Sequence, residues 1–123
     1  MMKALQGSEK QVAWAEDIRN YYLEKYDEYR RFLDVTLAGE KSHDYPSRQD
    51  LFMDIDDMMR DCRKAVIALK KELIAGGAEK HEATVEARRT VYAQAGIKEA
   101  FKQKAEQFFS EDSASKWIDR RAN

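Results

Sequence analysis

Apolar side chains recur along the first third of the chain at Ala15, Ile18, Tyr22, Tyr26, Tyr29, Leu33 and Leu37. Steps of three and four residues keep such a series on one face of an α-helix. Ser8 at the N-cap and Gln11 three residues on form a capping box, so the helix is predicted to open there. Gly39 marks its end, just past Leu37. A helix of that span is about 45 Å long. A second, shallower stripe carries Trp14, Tyr21, Phe32 and Val35. Residues 38–46 read as a loop, because Pro46 disfavours helical geometry at Tyr45.

Ser47 reads as the next N-cap, with Asp50 favourably placed against the helix dipole. A second long helix is predicted from Arg48 to about Ala75. Its apolar face is Leu51, Ile55, Met58, Cys62, Ala65 or Val66, Leu69 and Leu73, and Gly76-Gly77 stops it. The third segment has a thinner stripe at Thr84, Ala87, Val91 and Ala95, which continues at Ile97, Phe101, Ala105 and Phe108. Gly96 either kinks or breaks it, so 78–108 is one bent helix or two. A turn at 110–113 precedes a short last helix with Trp117 and Ile118, capped by Ser113. No stretch alternates with period two, so no sheet is expected. The expected fold is all-α. It is an antiparallel bundle of two long helices plus a bent or split third and a short C-terminal helix, in one domain over 1–123.

Composition changes this picture little. Leu, Ile, Val and Phe make up 23 of 123 residues, at the poor edge for a globular core. Tyr, Trp, Met and a high share of Ala fill the gap. Twenty-two Lys and Arg face 23 Asp and Glu, a net charge of −1. That balance argues against a simple polyphosphate binder. One cysteine, Cys62, excludes an intrachain disulfide and a Cys-rich metal site. The N-terminus lacks the apolar region of a secretory signal, and no apolar run is long enough to span a membrane. A cytoplasmic protein, with no membrane partner, is the expectation.

Candidate chemistry is sparse. Cys62 falls on an apolar helix face, where a thiol is inert. His43 and His81 read as surface side chains, each beside an acid. Glu40 and His43 have an E-x-x-H spacing, but in a loop, where helical spacing carries no meaning. Five glycines leave little material for a phosphate-cradling loop. An enzyme is not expected, nor a metal or cofactor. The strongest surface pattern is acidic. Asp50, Asp54, Asp57 and Asp61, at steps of 4, 3 and 4, share one face of the second helix. Like charges so spaced cost a helix a few tenths of a kcal/mol per pair. They form either a solvated face favoured by the dipole or a patch that meets a basic surface. Tyr21 and Phe32, off the core stripe, are the further candidates for a partner surface.

Two stretches carry a resemblance. The first is Leu5-Gln6-Gly7-Ser8-Glu9-Lys10-Gln11-Val12-Ala13-Trp14-Ala15-Glu16-Asp17-Ile18-Arg19. The second is Ala114-Ser115-Lys116-Trp117-Ile118-Asp119-Arg120-Arg121. Together they resemble small proteins encoded by bacterial phages and other mobile elements, with an L-x-G-S-x-K-Q-x-x-W-A-x-x-I-R start and a late A-x-x-W-I-D-x-R. The resemblance covers 23 of 123 residues and transfers no activity to particular positions. Physically, the pair reads as a fold signature. The chain ends are predicted to meet, with Trp14 and Trp117 in or near one cluster, and Arg19 or Arg120 beside Asp119 or Glu16. The resemblance implies a protein-binding module in a bacterial host's cytoplasm, and with the acidic face it suggests an inhibitor of a defence nuclease such as a CRISPR effector. The alternatives are a nucleic-acid-binding accessory using Lys64, Lys70, Lys71, Arg88 and Arg89, and a self-associating module in which the aromatic first helix forms a homodimer.

Overall fold

A computed structural model describes residues 4–42, 46 and 50–120. Its elements are α1 (Glu9–Leu37), a 3₁₀ turn (Asp50–Phe52), α2 (Met53–Asp61), α3 (Arg63–Ala75), α4 (Lys80–Gln94), α5 (Ile97–Phe109) and α6 (Ala114–Arg120). The fold is all-α. Among the described residues no strand forms, and no helix is long and apolar enough to cross a membrane.

α1 begins and ends where its chemistry directs. The Ser8 hydroxyl accepts from the Gln11 N–H and the Gln11 side chain accepts from the Ser8 N–H, both at 3.2 Å. At the other end Gly39 takes φ +91°, its N–H reaching the Thr36 carbonyl while Glu40 N–H reaches Val35. This left-handed residue does more than stop the helix. α4 passes so close that a Cβ at Gly39 would overlap the Val85 carbonyl. The Arg88 guanidinium donates to the Gly39 carbonyl at 3.4 Å.

The second long helix departs from the uninterrupted span expected. Ser47 and Arg48, its proposed start, lie outside the described residues. Asp50 opens the 3₁₀ turn, and the helix divides at Cys62. There ψ is −10°, and the N–H is shared between the Met58 and Met59 carbonyls at 3.3 and 3.2 Å. A helix interior has ψ near about −42°, so the chain turns. Packing gives the reason: α2 and Cys62 sit in the core, whereas α3 buries no residue fully and pairs with α4. Gly96, in the left-handed region at φ +70°, breaks the third segment into α4 and α5. The start of α4 is capped by Glu79, whose carboxylate accepts from Glu82 N–H at 3.0 Å. Backbone N–H groups of His81 and Glu82 hold its carboxyl below the usual range.

Two clusters form the core. One joins Tyr29 and Leu33 of α1, Phe52, Ile55 and Cys62, Val91, Ile97 and Phe101. The other joins Ala15, Ala105, Phe109, Ala114 and Trp117. Tyr26 packs on both, with its ring 5.3 Å from Phe101 and 5.8 Å from Phe109. Of the expected α1 stripe, Ala15, Tyr29 and Leu33 are buried and the rest half-buried. α5 runs antiparallel to α1, since Phe101 meets Tyr29 and the later Phe109 meets Tyr26. Tyr29 donates to Asp56 at 2.6 Å.

The two ends of the described chain meet. Gln6 N–H donates to the Asp112 carbonyl at 2.6 Å, and Ala114 N–H to the Gln6 carbonyl at 2.9 Å. Trp117 is fully buried, and its indole N–H donates to the Glu111 carbonyl at 2.8 Å. Trp14 is not one of the buried residues of the Trp117 cluster. It is 40% exposed, on the outward face of α1, where Ala15 beside it takes the core position. The Arg120 guanidinium lies 4.6 Å from both the Phe108 and Trp117 ring centroids. Ser113 precedes α6; its hydroxyl meets the Ser115 hydroxyl at 3.0 Å and its carbonyl accepts from Trp117 N–H.

Gly39→Ala combines a left-handed backbone with overlap on α4, and is expected to cost about 2–4 kcal/mol in urea unfolding. Gly77→Ala, at φ +102° with open space around the new carbon, is expected to cost only about 1 kcal/mol. Burial first, then Asp56, holds the Tyr29 phenol well above its ordinary value of 10.0. The unfolded chain then loses this proton first, so stability falls as pH rises above about 10. Tyr29→Phe should flatten that fall in alkaline denaturation.

Candidate functional site: an acidic face beside a cationic groove

The four aspartates expected on one face lie on the 3₁₀ turn and α2. Asp50 opens the turn, and its side chain lies outside the described residues. Asp54, Asp57 and Asp61 are exposed and share a face of α2. Two of them are already engaged. Asp54 receives the Lys104 ammonium of α5 at 2.9 Å, and Asp57 receives Arg60 at 2.6 Å. Asp56, on the adjacent inner side, holds Tyr29. The acids are therefore accessible but partly neutralised.

The two aromatic candidates separate. Tyr21 is 51% exposed, edge-on to Tyr22, with the Lys25 ammonium 5.4 Å over its ring. Phe32, eleven residues on, is half-buried against Tyr29 and lines a different feature. That feature is a groove of about 510 Å³ between α1, the α2–α3 bend and α4. Its floor is Phe32, Met59, Val66, Ile67 and Tyr92, with the Thr36 and Thr84 hydroxyls beside them. Its charged lining is Arg60, Arg63, Lys70 and Arg88, with no acid among them. A recess of about 310 Å³ continues it past Arg88 to Lys41 and Glu40.

Local geometry explains this gathering. Arg60, Arg63, Ile67 and Lys70 follow steps of 3, 4 and 3, one flank of the α2–α3 rod. The bend at Cys62 carries that flank over the end of α1. The Gly39–Val85 approach draws α4 in, and Arg88 comes with it. Among the described residues, Arg63 and Lys70 have no ion-pair partner. Of the five basic residues named for the nucleic-acid alternative, only Lys70 and Arg88 reach the groove. Lys64 and Lys71 are exposed elsewhere on α3, and Arg89 pairs with Glu86. Arg60 and Arg63 were not singled out, because the first sits within the acidic segment and only the bend aligns the two with Arg88.

Cys62 is buried at the bend, and burial, reinforced by Asp61, pushes its thiol up. His81 is exposed, 4.0 Å from Glu40, and His43 lies outside the described residues. Among the described residues no group of three or more His, Cys, Asp or Glu is placed to hold a metal ion. Four cations thus surround an apolar floor, Arg60 being paired with Asp57. Comparison with known proteins gives no matching family, curated protein or solved structure.

The Asp54–Lys104 pair joins two elements but is largely solvated, with Asp54 74% exposed. A double-mutant cycle of Asp54→Ala and Lys104→Ala should return a coupling of about 0.2–1 kcal/mol, reduced by added salt.

Proposed function

We propose that the protein is a non-enzymatic binding module that engages a protein partner. The observation that carries this reading is the groove, which offers an apolar floor and a cationic rim together. A protein segment meets both demands, because side chains can supply apolar anchors and carboxylates side by side. The exposed face of Asp54, Asp57 and Asp61 supports a second, narrower reading. In it those carboxylates occupy a basic cleft that normally holds nucleic acid, as in an inhibitor of a bacterial defence nuclease.

Tagged protein recovered from a bacterial lysate, with and without nuclease treatment, separates these readings. A stoichiometric protein that survives nuclease and is lost with Arg63→Glu/Lys70→Glu is the expected result. Loss with Asp57→Lys/Asp61→Lys instead selects the acidic face. Recovery abolished by nuclease treatment overturns both in favour of nucleic-acid binding. All four substituted side chains are exposed or half-buried, so circular dichroism should show the helices retained.

A further inference from the structure

We infer that the groove takes a short acidic amphipathic helix of that partner, an inference that rests on the binding-module reading above. The floor comes first. Ile67 is 43% exposed, a large apolar residue left open between Arg63 and Lys70. With Met59, Val66 and Phe32 it forms an apolar strip that phosphates cannot satisfy. A volume of about 510 Å³ admits a few side chains, not a whole helix. That matches helix-in-groove docking, where anchors at i, i+3 or i+4, and i+7 enter and the rest of the helix rides above.

The rim supplies the charge. Arg63 and Lys70 stand seven residues apart on one wall, two helical turns or about 10 Å. A helix lying alongside presents carboxylates at that same repeat, and Arg88 opposes them from the other wall. Guanidinium groups take carboxylates with two parallel hydrogen bonds, which fixes register as well as charge.

The whole-molecule charge selects a short ligand over a long polyanion. The chain carries −1, so with the four groove cations set aside the remainder carries −5. Acids bound the groove at both ends, Asp57 paired with Arg60 on one side and Glu40 in the recess past Arg88 on the other. A nucleic acid running out of the groove would meet repulsion there. A helix whose acidic side ends with the groove would not.

The test is fluorescence anisotropy of the full chain with a labelled, designed peptide of about 16 residues, long enough for four helical turns. Leu is placed at i, i+3 and i+7 with Glu on both flanks. The controls are the same residues scrambled and a single-stranded oligothymidylate of equal charge. Saturable binding of the patterned peptide alone is expected, weakened at least tenfold by Arg63→Gln/Lys70→Gln and several-fold by Ile67→Ala. Equal binding of the scrambled peptide, preference for the oligothymidylate, or no binding at all overturns the inference. If the patterned peptide fails while Arg63→Glu/Lys70→Glu still releases a nuclease-resistant protein from the lysate, the helix is wrong and the protein-binding module stands. If that protein is absent too, both fall.

Discussion

Tyr26 is the residue on which both halves of the core rest. Its ring stacks on Phe101 and stands edge-on to Phe109, so one side chain belongs to the cluster under α2 and to the cluster under α6. Tyr22 and Tyr29, one turn to either side, extend the ridge to Phe108 and Phe52. A chain short of Leu, Ile and Val thus builds its interior from rings, each well-placed pair adding about 0.5–1.5 kcal/mol to the area buried. The phenol hydroxyls then need partners at the edges, which Asp56 and the Arg120 carbonyl provide.

With the ridge committed to α5 and α6, little apolar surface remains to hold α3. It buries no side chain fully, packs Val66 and Leu69 on the edge of the core and otherwise lies along α4, as an arm that turns at Cys62. The arm's junction with α1 is where the groove opens. Charge divides along the same rod: acids occupy the part that lies on the core, and cations the part that leaves it. The helix dipole favours acids toward the start and bases toward the end of such a rod. The fold turns this ordinary bias into two neighbouring surfaces of opposite sign, with Arg60 paired to Asp57 at their boundary.

Periodicity made most of the helical fold legible. The capping box of α1, its end at Gly39, the stop at Gly76-Gly77 and the short last helix each had a local signal, and each is present. The bend at Cys62 had none, because no glycine or proline marks it and the apolar series runs through unbroken. It arises from what each half packs against, a tertiary effect. Phe109 was missed beside Phe108 because α5 buries a broader face where α6 covers it. The aspartate face was visible as spacing alone. The groove was not, since its walls come from segments far apart in the chain and meet only through the close approach of α4 to Gly39.

The pairing of Gln6 with Ser113 and its neighbours makes the fold a closed ring in sequence terms. The first half of α1 is covered by α5 and α6, the last described elements to be synthesised. On the ribosome, α1 emerges before α5 and α6, and no described residue of the next sixty joins the cluster that covers Ala15, Ile18 and Tyr22. Native packing of that end therefore waits until α5 and α6 have been made. Closing so long a loop carries an entropy cost that the local winding of a helix does not.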